Sequence, residues 1–217
     1  MASKDKGLLV VLSAPAGCGK DTVLAEVKKS DQNVKQSISM TTRLPREGEQ
    51  DGVDYYFTSV ADFENKISEN GFLEYVKYGV NYYGTPKKAI EEMVDSGKTV
   101  ILKIEVEGAG NVRKIYPDAV SIFIMPPSFT ELSRRLKNRG TETEEDICRR
   151  LKIAEDEMQR AKEYNYIVIN DDLSVCVNDV LSIIKAERLK YSNMQEKIEE
   201  IINNWFERKL ILCLIQI

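Results

Sequence analysis

The sequence of 217 residues contains no histidine, which excludes any mechanism that uses an imidazole as base, acid or metal ligand. Its four cysteines, Cys18, Cys148, Cys176 and Cys213, are scattered without CxxC spacing, so a structural zinc site is not expected. Basic residues are not in excess. Lys and Arg number 31 against 35 Asp and Glu, a net charge of −4, whereas a nucleic-acid surface needs a basic excess. No apolar run reaches the roughly 20 residues that span a bilayer. The oddest stretch, Leu210 to Ile217, falls well short and is expected to be a buried tail. Met1 to Lys6 is short and polar, without the charged start, apolar segment and cleavage site of a secretory leader, so a cytoplasmic location is expected. Neither nucleic acid nor membrane is an expected partner, and monomer and homodimer both stay open.

With 42% hydrophobic and 30% charged residues and no biased tract, the chain must fold and act through a site. Its length fits one domain with small inserted lobes. Leu8 to Leu12 is a continuous apolar run ending at a Pro/Gly-rich loop, the pattern of a buried parallel strand. A helix is expected from Thr22 to about Lys29. Further apolar runs at Thr99 to Val106, Val120 to Met125 and Tyr166 to Ile169 alternate with helical patterns, which spells an α/β fold with a parallel sheet core. Ser128 to Glu131 and Thr143 to Asp146 each set a hydroxyl three residues before an acid, the capping-box spacing, and open two helices running to about Tyr164. Between Lys35 and Gly97 short strand-like pieces, Tyr55 to Phe57 and Phe72 to Val76, surround one helix at Asp62 to Glu69, as an inserted lobe would. From Leu173 a long helical pattern runs to Lys209.

Directly after the first strand stands Ser13-Ala-Pro-Ala-Gly-Cys-Gly-Lys-Asp-Thr22. Gly17 and Gly19 let backbone N–H groups turn inward around a phosphate, the next helix offers its positive N-terminus, and Lys20 can reach the β- and γ-oxygens. Strand, loop and helix in register suit a nucleoside triphosphate cradled by Ala14, Pro15, Ala16, Gly17, Cys18, Gly19, Lys20, Asp21 and Thr22. A helix-capping glycine loop is the bland alternative. Against G-x-x-x-x-G-K-[ST] the match is imperfect: Ala14 replaces the first glycine, and Asp21 stands where a hydroxyl usually holds Mg²⁺, which brings Thr22 into consideration as well.

Six pieces in order, Ser39-Met-Thr-Thr-Arg-Leu-Pro-Arg46, Gly48-Glu49 with Gly52 and Tyr55, Phe72-Leu-Glu74, Asn81-Tyr-Tyr-Gly-Thr85, Val106-Glu-Gly108 and Arg139 to Glu145, follow the phosphate loop. Over roughly residues 7 to 190 the chain resembles the guanylate kinases. The resemblance implies a P-loop three-layer fold: a core at about 5–34, 97–127 and 165–190, an inserted GMP-binding lobe at about 35–96, a helical lid at about 128–164, and a helical tail at 191–217. It also implies transfer of the γ-phosphate of ATP, with Mg²⁺, to GMP, and leaves dGMP as a further acceptor to be tested. Arg43 and Arg46 sit around Pro45, a rigid bend that can aim two guanidinium forks at one dianion. By resemblance they grip the GMP phosphate, with Tyr55 and Tyr83 as further donors and hydroxyls at Ser39 and Thr85 reading the base edge. Glu74 can accept both N1–H and N2–H₂ of guanine, a pairing adenine cannot offer. Period-two alternation in Thr99 to Glu107 puts Lys103, Glu105 and Glu107 on one face, and resemblance assigns Glu105 to the guanine side. The family usually has an acid where this chain has Lys103, a cation that cannot anchor the metal's water shell but could pair with Glu105 or a phosphate.

Arg135, Arg139 and Arg150 fall at the family's lid-arginine positions, and Asn170, just past a strand end, is assigned by resemblance to the ATP adenine. With Lys20 and Arg43 these arginines are the catalytic candidates, because phosphoryl transfer depends on positioning and charge neutralisation more than on covalent help. The nucleophile is an already ionised phosphate oxygen, so the absence of histidine costs nothing. Arg134 and Arg149 read as surface residues. Asp21 and Lys103 leave room for one rival, a guanylate-kinase-like binding module that has lost catalysis. A second, an enzyme for another phosphate acceptor, arises because a phosphate loop and arginines do not name a base, and Glu74 with Thr85 and Glu105 speaks against it.

Overall fold

A computed structural model of the chain describes residues 7–137 and 144–215, with side chains as far as Trp205. Strand β1 (Leu8–Ser13), helix α1 (Lys20–Ser30) and strand β2 (Val34–Gln36) come first. Next are β3 (Met40–Thr41), β4 (Tyr56–Phe57), helix α2 (Val60–Ser68) and the hairpin of β5 (Phe72–Tyr78) with β6 (Asn81–Pro86). Helix α3 (Lys87–Asp95) leads to β7 (Thr99–Lys103), α4 (Val106–Ile115) and β8 (Val120–Met125). Helices α5 (Phe129–Lys137) and α6 (Glu144–Gln159), a 3-10 turn at Arg160–Glu163, β9 (Tyr166–Ile169), α7 (Leu173–Arg188) and α8 (Tyr191–Ile215) complete it.

Five strands form one parallel sheet in the order β2-β7-β1-β8-β9. Alternate residues of the central strands feed opposite layers. Val10, Leu12, Ile122 and Ile124 pack with Val23, Leu24 and Val27 of α1 and Val180 and Ile184 of α7. Val11, Val100, Leu102 and Phe123 pack on the other side with Val106, Ala109 and Val112 of α4. Burial on both faces is why these strands read as continuous apolar runs. Arg188 at the end of α7 bonds Asp31 at 2.9 Å and the Thr99 hydroxyl, tying α7, α1 and β7 together at the far end of the sheet.

A second sheet, in the order β4-β3-β6-β5, is much smaller. Phe63 of α2 stacks on Phe72 and Tyr82, with ring centroids 4.3 and 5.2 Å away, and supplies the apolar anchor that such short strands lack.

Several boundaries differ from the sequence pattern. Helix α1 starts at Lys20 rather than Thr22, because Gly19 in the left-handed region already turns the chain. The strand expected over Thr99 to Val106 stops at Lys103, and Glu105 caps α4 instead of continuing an alternating face. At Ser128 only half of the capping box forms: the hydroxyl accepts from the Glu131 N–H, while the Glu131 carboxylate turns to Arg134 and Arg135. The second box starts at Thr143, outside the described residues. The helix expected from Leu173 to Lys209 is broken at Leu189 and Lys190, where Asn193 donates its side-chain amide to the Glu187 carbonyl at 2.8 Å and caps α7. Beyond the break α8 runs on to Ile215, and no helix among the described residues is long and apolar enough to cross a membrane.

Candidate active site

The carboxyl ends of parallel strands are where α/β sheets leave a crevice for ligands, and here that edge collects Ser13, Lys103 and Asn170. Between β1 and α1 the loop of residues 14–19 turns on Gly17 (φ 90°) and Gly19 (φ 80°). Both glycines are also sterically required. A Cβ on Gly17 would come within 2.9 Å of Leu136 in α5, and one on Gly19 within 2.7 Å of the Asn170 amide. Asn170 is buried and donates that amide to the Cys18 carbonyl at 2.7 Å. It braces the loop from below. Cys18 is buried with its thiol pushed up to about 12, by burial first, so it is inert packing and leaves the loop's chemistry to backbone N–H groups. Ala14 and Pro15 are buried as well, whereas Ala16 and Thr22 face solvent.

Lys20 opens α1 with its ammonium 3.4 Å from the Ile104 carbonyl and 3.6 Å from Glu105. The Ser13 hydroxyl donates to that same carbonyl at 2.9 Å. Beside this pair, Lys103 meets Asp21 at 2.6 Å. The expectation that Lys103 would pair with Glu105 is therefore corrected: Glu105 is taken by Lys20, and Lys103 reaches across to the first turn of α1. Loop N–H groups, a helix N-terminus and a lysine make an anion cradle.

The second cluster lies on the smaller sheet. Arg43 bonds Glu49 at 2.8 Å and the Leu44 carbonyl at 2.7 Å, and its guanidinium lies 5.4 Å from the Tyr55 ring centre and 5.8 Å from that of Phe57. Glu49, held low by Arg43 first, also accepts the Arg46 backbone N–H at 2.7 Å. Tyr55 meets Tyr83 edge-on at 6.2 Å. Ser39, half-buried, gives its carbonyl to the Tyr56 N–H. Glu74 on β5 is 8% exposed and accepts the Thr85 hydroxyl at 2.7 Å. Burial pushes its carboxyl up from the usual range, and the Thr85 bond only partly offsets this. Its second oxygen lies against Gly108, where a Cβ would approach to 2.9 Å. Gly108 belongs to the first turn of α4, whose cap is Glu105. One helix terminus thus joins the two clusters, with Lys20 touching its cap and Glu74 resting on its first turn.

The family model described as guanylate kinase matches residues 6–187. This chain belongs to the guanylate kinase family. It is 47% identical to the guanylate kinase of Halalkalibacterium halodurans over 92% of this chain and 98% of that one. It is 48% identical to that of Clostridium tetani, over 89% and 93%. The crystal structure of guanylate kinase from Anaplasma phagocytophilum superposes with a TM-score of 0.69 at 34% identity, covering 86% of this chain and 89% of that one.

Of the arginines that the family pattern singles out, Arg135 on α5 is tied to Glu131 at 2.7 Å. That carboxyl is pulled down to about 2 by Arg134 and Arg135. Arg150 is half-buried on α6, and Arg139 lies outside the described residues. Arg134 and Arg149 are exposed and, among the described residues, pair within their helices with Glu131 and Asp146, in keeping with a surface reading. Four participants were not singled out from sequence: Ser13, Glu49, Gly108 and Glu157. The last sits half-buried on α6 with its carboxyl pushed up to about 7 by burial and by Glu105, against Lys20 and Arg160. Glu49 and Gly108 stood inside motif pieces; Ser13 and Glu157 carried no signal in one sequence.

Proposed function

We propose that this chain works as a two-site phosphotransferase, with ATP on the loop of residues 14–22 and GMP on the smaller sheet. The chain is a guanylate kinase that converts ATP and GMP to ADP and GDP. Its parts divide as the resemblance implies: a core at 5–34, 97–127 and 165–190, an acceptor lobe at 35–96, a lid at 128–164 and a tail at 191–217. A cytoplasmic enzyme of purine nucleotide supply fits this reading.

The observation that carries the reading is the buried Glu74 carboxylate, bonded to Thr85 and resting on the helix turn whose cap touches Lys20. Guanine's adjacent N1–H and N2–H₂ are the donors such a carboxylate calls for, and Ser39 and Glu105 complete the base edge. Arg43 and Arg46 with Tyr55 and Tyr83 take the GMP phosphate. Arg43 exchanges its Glu49 partner for the incoming dianion, so the loop carrying it is held ready until substrate arrives. Lys20 likewise exchanges Glu105 and the Ile104 carbonyl for phosphate oxygens. Arg135, Arg139 and Arg150 close over the transferring group, exclude water and spread its charge, while Asn170 keeps the loop in shape. A phosphate oxygen of GMP then attacks in line, and no base is required.

Mg²⁺ fits the donor set. Asp21 offers a hard carboxylate oxygen next to Lys20, and no group of three or more potential ligands gathers among the described residues, so the ion would be held mainly by ATP with Asp21, or the Thr22 hydroxyl, beside it. When bound it supplies charge neutralisation on the transferring phosphate. A coupled assay of ADP formation with GMP, dGMP, AMP, UMP and CMP tests the reading. GMP-dependent turnover is the expected result, and GMP performing no better than AMP or UMP would overturn it.

A further inference from the structure

We propose that Asp21 is the carboxylate through which this chain senses the metal of its nucleotide, and that Lys103 is a positioning residue that holds it there. The inference rests on the reading of residues 14–22 as the ATP site. Two adjacent residues of α1 are clasped from the turn between β7 and α4, with the signs crossed: Lys20 with Glu105, the cap of α4, at 3.6 Å and Asp21 with Lys103, the last residue of β7, at 2.6 Å.

Asp21 is badly placed for an enzyme that binds bare polyphosphate. It sits one residue from the phosphate lysine with its side chain 74% exposed, where a like charge would push the nucleotide away. A divalent ion between carboxylate and phosphate reverses that sign. Lys103, 34% exposed at the strand end, fixes one oxygen of Asp21 by a short charge-assisted bond. So exposed a pair adds little to stability, but it sets orientation, which is what an outer-sphere metal partner needs.

The test is the ratio of ATP dissociation constants in EDTA and in Mg²⁺, measured by titration calorimetry without acceptor. Asp21→Asn should shrink that ratio about tenfold, by weakening Mg·ATP while metal-free ATP binds as well or better. Lys103→Met should shrink the ratio in the same direction but less. The exchanged pair, Asp21→Lys with Lys103→Asp, should recover most of it. An unchanged ratio in Asp21→Asn would overturn the inference. So would a Lys103→Met variant that loses both affinities equally, because Lys103 would then act on phosphate directly. Lys20→Ala separates the two layers: if it leaves ATP binding intact in both conditions, the ATP-site reading falls and this inference with it. If Lys20→Ala loses ATP while Asp21→Asn keeps the full ratio, only the inference falls. Retained metal-free binding in the single variants shows that they fold.

Discussion

The two halves of the site are made of different material. At the end of the parallel sheet the proposed ligand surface is backbone: loop N–H groups turned by Gly17 and Gly19, braced by buried Asn170, and standing on strands buried on both faces. On the smaller sheet it is side chains. Arg43, Arg46, Tyr55 and Tyr83 stand on short strands and a loop and hold one another through Glu49. A backbone cradle recognises phosphate whatever side chains surround it, which is how Ala14 and Asp21 can depart from the common pattern without losing the loop. A side-chain surface recognises one ligand and is sensitive to each member. Discrimination between nucleotides should therefore lie on the smaller sheet, and rate should lie at the loop.

The sharpest break of that comparison is Lys20→Ala. Removing the one side chain of the cradle aimed at the transferring phosphate should lower kcat about 10²-fold or more, with the KM for GMP nearly unchanged. A normal single-turnover rate would contradict the role. Glu74→Ala should act in the opposite column. It should cost roughly 10²-fold in kcat/KM for GMP and narrow the preference over AMP, because the guanine donors lose a buried acceptor, while the KM for ATP stays put. If AMP remained as poor a substrate relative to GMP, base reading would lie elsewhere.

Two glycine substitutions make a finer cut. Gly19→Ala puts a β-carbon on a left-handed backbone and 2.7 Å from the Asn170 amide. It should cost about 1–2 kcal/mol of stability and raise the KM for ATP. Gly108→Ala leaves the helix backbone at ease but pushes on the Glu74 carboxylate from 2.9 Å. It should raise the KM for GMP roughly tenfold and spare ATP. Steady-state KM values for both substrates, with Tm for each variant, decide whether the halves are as separable as their construction suggests.

What the sequence discloses follows the same division. Strands such as Val120–Met125 and Tyr166–Ile169 are legible to the residue as unbroken apolar runs; the first is buried on both faces, and the second keeps its apolar run at the sheet edge although Ile167 and Ile169 are exposed. The phosphate loop is legible because glycines, lysine and helix must be contiguous. The smaller sheet is legible only through the family's motif pieces: β3 and β4 are two residues each, too short for any period to show. Glu105 was placed on a strand face because Thr99 to Glu107 alternates, but Val106 is needed to bury the first turn of α4, and the helix starts there. Asn170 points to the adenine only by resemblance, and the bond from its amide to the Cys18 carbonyl, 152 positions away, has no signal in the sequence. Pairings such as Lys103 with Asp21 span 82 positions, and no local rule reaches that far.

The mildest test concerns protons, and it too sets one half against the other. Glu157 faces Glu105, Lys20 and Arg160 at the loop end and is pushed up to about 7 from 4.5 by burial first. The folded state thus holds this proton more tightly than the unfolded chain. Its contribution is complete below about 4.5, is lost as pH rises through about 7, and is flat above. Glu157 is partly exposed, so solvent screening should hold the loss to about 1 kcal/mol, and Glu157→Gln should abolish it; parallel Tm curves for the two proteins between pH 5 and 8 would refute that. Glu74 is also raised by burial, but the two ligands act on these groups oppositely. On the proposed reading, ATP at Lys20 adds negative charge beside Glu157, which favours its protonated form, whereas guanine donors would favour ionised Glu74. Near neutral pH, calorimetry in buffers of different ionisation enthalpy should show proton uptake when ATP binds and no uptake when GMP binds. Uptake with both ligands would mean that the two ends of the site are not electrostatically independent.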